Sequence, residues 1–577
     1  MRVARALSLL ALAMVVASTV ALAMCVHASS QSQLWYPRIV GDKDDEWSKA
    51  ALLTVEGGHL ALYVVGNKWR QPVVVKYDVT SDRVAWAIAI GNRKTGDLGD
   101  WPEFRDVAAC GGKVFAVGFG GRKSTEILVA SIDASSGKVL WIRSYGASSG
   151  EVKGLGVAVD PSCQHLYVVG YAKGALGASG RDAVVLEIDA SSGKLLKAAR
   201  IDLGGSDYFI DVIYANSALY IAGMTDAFDT PGKYYDIVVA ELSPSTLKPI
   251  KIVDIGNKGV YEVAAISNYK NSGGALAFDG RTLYVLGQMK SVKKGKTSTL
   301  VLALDPRSLG VEWSVRIYNS SDIDVEFYPD QIAVGGKLLY IAGHSWFYPG
   351  LWKEGGFIAI LDKGSGAPVA FYIVHDSELR SGMGLHGISA LTLGGVDYVA
   401  AVGDYYLPTL RISIENKLSQ VTVAKYGVKE LDVTSKAKVH DVTKEISCSA
   451  VSTEIDRLSL NSPANGKSNY LLLLFVEPAK AVSAVRTVTK TVTSTQTITL
   501  TRTVVVTATT TLTRTSVSTT TVSSTVTKTV PTTVVAYRTT TATSTRTVVS
   551  TVTVARSLVP GWVWGVAAAL FFIGLGI

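Results

Sequence analysis

Charge is scarce in this chain. Only 18% of its 577 residues are Asp, Glu, Lys or Arg, against 48% apolar residues, and that balance excludes a chain that is disordered throughout. Acid is missing altogether after Glu477, where nine Lys and Arg residues lie, and Arg2 and Arg5 precede the first apolar run. The net charge of +9 therefore belongs to the two ends. The stretch between them is close to neutral, which excludes a nucleic-acid footprint there. Cysteine is nearly absent, with four in all. Cys25 falls in the N-terminal apolar run, and the odd set Cys110, Cys163 and Cys448 excludes a full disulfide framework. Cys110 and Cys163 stand at nearly matching places in consecutive repeats, and both a bridge and a pair of buried thiols remain open. Apolar residues spaced for one face of a helix are also lacking, which excludes a helical solenoid. There is no His-Glu-x-x-His zinc motif and no phosphate-binding loop.

The two ends read as targeting segments. Residues 1–28 have a basic start, a long apolar run and Val-His-Ala before Ser29, the pattern of a cleaved signal peptide. Residues 557–577 are uncharged and long enough to cross a bilayer as a helix. Between Glu477 and that helix the composition changes abruptly. Residues 481–556 are rich in Thr and Ser, with Thr at every odd position from Thr487 to Thr503. Such a tract reads as an extended stalk, and its β-branched alternation also permits self-pairing into β structure.

Two phrases alternate through residues 29–480. One ends on glycine: Leu-Tyr-Val-Val-Gly or a close variant closes at Gly66, Gly118, Gly170, Gly223, Gly287, Gly343 and Gly403. The other, Ser131–Trp141 (SIDASSGKVLW), reads as a strand end, a tight turn and a second strand carrying Trp. A period of 52 to 64 residues made only of strands and Gly-rich turns predicts an all-β β-propeller of four-stranded blades. Counting Asn469–Pro478 as a third strand, with residues 428–468 supplying a degenerate first and second, favours eight blades. Seven with an irregular C-terminal piece is the alternative. The segment Gln33–Gly41 resembles a fourth strand with no blade before it, so the N-terminal strand is expected to close the last blade.

These phrases resemble the tryptophan-docking repeats of quinoprotein-type propellers and the repeats of bacterial and archaeal surface propellers. The resemblance spans roughly residues 33–478 and implies the fold. The chain lacks the adjacent cysteine pair that accompanies the quinone in that family's dehydrogenases, so the resemblance does not extend to the cofactor, and none is expected. The Thr-rich stalk ahead of a C-terminal anchor is similar to those of archaeal surface proteins.

Connection lengths locate a binding face. The turns after the first and third strands of a blade are short, whereas those after the second and fourth are long, and both long sets emerge on one side. Trp69, Trp101, Tyr208, Tyr234, Tyr235, Trp346, Tyr348, Trp352 and Tyr405 lie in or beside them, interspersed with carboxylates, a composition suited to sugar or protein surfaces. Asp322, Asp324 and Glu326 alternate in a spacing able to hold Ca²⁺, the one metal expectation. His344, His375 and His386 lie in neighbouring units, without the tight spacing of a zinc motif. The reading is a non-catalytic propeller on the extracellular face of the membrane. It binds a glycan, peptide or cell-envelope protein. An extracellular enzyme acting on polysaccharide, or a quinone-dependent dehydrogenase, is the alternative.

Overall fold

The computed structural model describes residues 35–476, apart from residue 43 and residues 122–123, 229–233, 265, 268–269, 272–273, 291–296, 320–324, 348–352, 378–382, 407–411 and 461–468. It also describes four strands beyond residue 485. The signal peptide and the C-terminal helix expected from the sequence lie outside the described residues.

Seven antiparallel blades follow one another around an axis. Blades 1 to 6 occupy residues 46–90, 103–146, 151–202, 207–256, 261–319 and 326–376, each with four consecutive strands, labelled a to d from the axis outward. In blade 5 strand a is split into Tyr261–Ala264 and Leu276–Phe278. Blade 7 is composite. Its strands a and b are Met383–Leu393 and Val396–Tyr405, its strand c is Asn469–Val476, and its strand d is the N-terminal Trp35–Val40. The closing strand pairs antiparallel with strand c from Trp35↔Phe475 to Val40↔Tyr470. Trp35 stacks on Phe475 at 4.8 Å, and Arg38 forks onto Asp82 of blade 1 with two contacts of 2.7 Å.

The expectation of eight blades is corrected to seven. Residues 412–457, which include most of the stretch 428–468 read as two strands of an eighth blade, instead run backward around the outside of the ring. They add one outer strand in turn to blades 6, 5, 4, 3, 2 and 1: Ile412–Asn416, Val421–Lys425, Lys429–Asp432, Lys438–Asp441, Ser447–Ala450 and Ile455–Arg457. The physical reason is the open edge that strand d leaves on each blade, a row of backbone donors and acceptors without partners. At each step a belt amide donates to a strand-d carbonyl: Lys417 to Phe371, Tyr426 to Ser314, Val433 to Ile252, Val442 to Ala198, Val451 to Ile142 and Leu458 to Ala87. Buried Val433, Val442 and Ile446 fill the seams between blades.

The recurrent phrases now have causes. Trp86 and Trp141, on strand d, donate their indole N–H to the carbonyls of Ala134 and Ala190 in the next blade's c–d turn. Each ring lies against the turn glycine, Gly137 or Gly193, and Trp313 does the same against Gly366. The Asp of the same turn accepts the hydroxyls and amides of the two following serines. The recurrent glycine late in strand b answers a bulge in strand a. In blades 1, 2, 3, 4, 6 and 7, strand a carries one extra residue opposite that glycine. A Cβ at Gly66, Gly118, Gly170, Gly223, Gly343 or Gly403 would overlap the strand-a carbonyl. Cys110 and Cys163 form a disulfide joining blades 2 and 3, with Cα atoms 5.6 Å apart.

The Thr-rich segment is a separate unit, Val482–Ser557. Arg486–Thr493 pairs with Thr547–Val554, and Arg514–Val517 with Ser523–Val526, so the segment pairs with itself. Among the described residues no helix is long and apolar enough to cross a membrane.

The bulge geometry yields a test. Gly170→Ala forces a methyl group into the Lys153 carbonyl and should cost about 2–3 kcal/mol of unfolding free energy. Gly180→Ala, which meets open space, should change it by less than about 0.5 kcal/mol. Denaturant midpoints of the two variants check this.

Candidate functional site

A bulge re-aims one side chain per blade. The residues so placed are Lys49, Arg105, Leu155, Ile210, Asp330 and His386, in blades 1, 2, 3, 4, 6 and 7. Those of blades 6, 7, 1 and 2 are ionisable, while blades 3 and 4 supply Leu and Ile. All six are buried.

The four ionisable residues belong to two groups near the strand ends that carry the long connections. In the first, His344 Nδ1 lies 2.9 Å from Asp330 Oδ2, and His386 Nδ1 lies 3.7 Å from the same oxygen. His386 Nε2 lies 3.3 Å from Asp404 Oδ2, and Asp404 Oδ1 accepts the Ser48 amide at 2.8 Å. Tyr328 stacks flat on His344 at 5.0 Å. Burial alone would raise the Asp330 carboxyl, but the charge and hydrogen bonds of His344 and His386 outweigh it and hold it well below the usual carboxylate range. In the second group Glu103 lies between Arg105 and Lys49, the latter at 3.6 Å. Burial would raise its carboxyl too, and the two cations lower it instead. Arg105 and Lys153 both lie over the Phe119 ring, at 5.3 and 4.7 Å.

In blades 2, 4 and 6 the residue after the bulge ties neighbouring blades together. Asp106 Oδ2 accepts the Val157 amide, and Asp211 Oδ2 that of Leu276, each at 2.8 Å. Gln331 Oε1 accepts Ile388 at 2.9 Å and Ala51 at 3.4 Å. Burial and then the charge of Asp211 push the Asp106 carboxyl well up, and burial pushes Asp211 up to about 6. Of two carboxyls that share a site in this way, one is held protonated more readily than the other.

The aromatic residues expected on the binding face divide by position. Trp69 and Trp101 come together: with Arg70, Arg93, Lys94 and Asp100 they line an open cleft of about 620 Å³. Trp69 is 43% exposed and Trp101 66%. Arg93 lies over the Trp69 ring at 5.8 Å, and Arg70 pairs with Asp100 at 3.2 Å. Trp69 has φ of +55°, a left-handed backbone that a bulky residue adopts at a cost. Tyr208 and Tyr235 belong instead to an edge-to-face ladder, Tyr171, Tyr208, Tyr235 and Tyr261, with ring centres 4.9 to 6.1 Å apart. Tyr234 is half-buried beside it, and Tyr405 is fully buried. Trp346 lies on strand b of blade 6, opposite Glu326. Tyr348, Trp352, Asp322 and Asp324 lie outside the described residues. Glu326 is engaged locally, accepting the Thr297 amide and the Tyr328 hydroxyl at 2.9 and 2.7 Å. His375 stands apart from the other two histidines, pairing with Glu415 of the belt at 3.1 Å.

Lys49, Arg105 and Asp330 escape the sequence reading, which singles out His386 together with His344. Their signal is a polar letter inside an apolar inner strand, as in Trp47-Ser48-Lys49-Ala50, Phe104-Arg105-Asp106-Val107 and Pro329-Asp330-Gln331-Ile332. Gly146–Gly150 also has Gly-x-Ser-x-Gly spacing, but Ser148 lies exposed in a loop between two strands rather than on a strand-to-helix elbow.

No protein-family model matches the chain, and no curated protein matches it by sequence. Among solved structures it is similar to a europium-containing methanol dehydrogenase, at 12% identity and TM-score 0.31, covering 64% of this chain and 86% of that one. It is also similar to the Dos1 propeller, at 13% and 0.36 with 66% and 86% covered. A phage phi92 endosialidase aligns at 11% and 0.35, with 89% and 79% covered.

The carboxyl at the axis gives a pH prediction. The folded pKa of Asp211 stands at about 6 against an ordinary 3.8. Its contribution to stability is therefore full below about pH 4 and is lost as pH rises through about 6. Asp211→Asn keeps a neutral side chain, so its stability relative to the wild type should rise between about pH 4 and 7. Unfolding midpoints across that range check the sign, and a difference that stays flat contradicts it.

Proposed function

We propose that this protein is exported and displays its propeller outside the cell, carried on the Thr-rich segment and held by the C-terminal apolar helix. The cleft at Trp69 and Trp101 binds an anionic, polyhydroxylated ligand, an acidic glycan of the cell envelope or of a neighbouring surface. The observation that carries this reading is the pair of exposed indoles framed by Arg70, Arg93 and Lys94. Indole faces stack on the C–H faces of sugar rings, and guanidinium groups grip carboxylates or sulfates. A tryptophan kept at positive φ, where Gly or Asn would be cheaper, supports a role for the side chain itself. The Cys110–Cys163 disulfide supports an oxidising compartment.

A second reading, an extracellular enzyme acting on polysaccharide, is favoured by the convergence of Asp330, His344, His386, Asp404, Glu103 and Arg105 near the same face. It predicts turnover of a bound glycan, where the first predicts binding without cleavage.

The test is titration of acidic and neutral glycans into the detergent-solubilised full chain, followed by Trp fluorescence. Trp69→Asn and Trp101→Ala should each weaken acidic-glycan binding by about tenfold, roughly 1.4 kcal/mol. Trp69→Asn should leave the unfolding midpoint unchanged or higher, because it relieves the left-handed strain. Undiminished affinity in both variants overturns the assignment of the cleft.

A further inference from the structure

We propose that Asp330, His344 and His386 form a binding site for one divalent first-row transition cation of the zinc class, buried between blades 6 and 7. One ligand atom from each residue, an imidazole nitrogen of each histidine and an Asp330 carboxylate oxygen, all lie within 4.8 Å of one another. Asp330 Oδ2 stands 2.9 Å from one imidazole nitrogen and 3.7 Å from the other. A tetrahedral ion with bonds of about 2.1 Å sets its ligand atoms about 3.4 Å apart. Shifts of a few tenths of an ångström at these two contacts bring them to that spacing.

Independent support comes from the residues behind the three. Histidines that bind a metal through one ring nitrogen usually present the other to a carboxylate, which fixes ring orientation and tautomer. Asp404 holds that place, 3.3 Å from His386 Nε2 on the side away from Asp330. Asp404 is itself fixed by the amide and hydroxyl of Ser48 from blade 1 at 2.8 and 3.2 Å. The flat stack of Tyr328, 5.0 Å away and 4° from parallel, sets the plane of His344. Asp330 and His386 are bulge residues of adjacent inner strands, and Gly343 and Gly403 admit the bulges that bring them face to face. Three blades thus converge on one point with two nitrogens and one oxygen. That donor set suits Zn²⁺, Co²⁺, Ni²⁺ or Fe²⁺, whereas Ca²⁺ and Mg²⁺ prefer oxygen alone.

The experiment uses the full chain, stripped with a chelator, dialysed and titrated separately with ZnCl₂, CoCl₂ and CaCl₂. We expect one equivalent of Zn²⁺ per chain by elemental analysis, and a visible Co²⁺ absorption that Zn²⁺ abolishes. His344→Gln and His386→Gln should each remove the bound equivalent. Asp404→Asn, which keeps all three ligands, should weaken Zn²⁺ binding by about tenfold or more. His375→Gln, at the belt contact with Glu415, should leave it unchanged. The Co²⁺ spectrum of the unaltered chain decides the question even if a histidine variant does not fold. Absence of that spectrum overturns the proposal. So does Zn²⁺ binding that persists in both His344→Gln and His386→Gln, or Ca²⁺ binding competitively at the same site.

Discussion

The pairing of Trp35–Val40 with Asn469–Val476 is the interaction on which the rest depends. Each blade packs its inner strand on the next, and the last must meet the first for every seam to be covered. The ends of the propeller chain meet in one sheet, so unfolding that sheet opens the whole ring. Local stabilisation is concentrated there: Trp35 between Phe475 and Tyr372, and the two-pronged contact of Arg38 with Asp82. The same closure accounts for the belt. Strand c of blade 7 must follow strand b in space, yet 63 residues separate Tyr405 from Asn469. That connection leaves the ring and circles it, covering six outer edges before returning. An edge that would invite a second chain is thereby filled by the first.

A second constraint sits at the axis. Seven strands crowd around it, and each regular one gains a residue to turn away from its neighbour. The glycine on strand b is the cost of that extra residue in backbone entropy, and the re-aimed side chain is the return. Because the bulged backbone is the same in blades 1, 2, 3, 4, 6 and 7, the identity of the bulge residue is free to vary. Leu155 and Ile210 make an ordinary core on one side, and Lys49, Arg105, Asp330 and His386 make a charged arc on the other. A buried charge is tolerated only when paired. The arc obeys that rule, since each member has an opposite charge or an imidazole in reach.

What could be read from the sequence was what the backbone demands. Gly118 and Gly170 recur because no other residue fits opposite the bulge. Asp133, Ser135, Ser136 and Gly137 recur because the turn needs those hydrogen bonds and that left-handed φ. The role of Trp35 was legible from its likeness to Trp141. The belt was not, and the blade count failed with it. Its strands are three to five residues long and largely exposed, so they carry no alternation, and only Asp432-Val433-Thr434 and Asp441-Val442-Thr443 repeat. The charged arc was hidden for another reason: Lys49 and His386 lie far apart along the chain and become neighbours only when the circle closes. Aromatic content alone could not separate exposed Trp101 from buried Tyr405, since both stand at strand ends beside long connections.

The most direct test of this account is a cross-link across the closing strand. Tyr36 and Leu474 are directly opposed and both partly exposed, so cysteines placed there are close enough to bridge. In a full chain with Tyr36→Cys, Leu474→Cys and Cys448→Ser, mild oxidation should join the two peptides, as read by mass spectrometry of a non-reduced digest. Two thiols that stay open to alkylation in the folded, oxidised chain would contradict the closure, and with it the order of the blades.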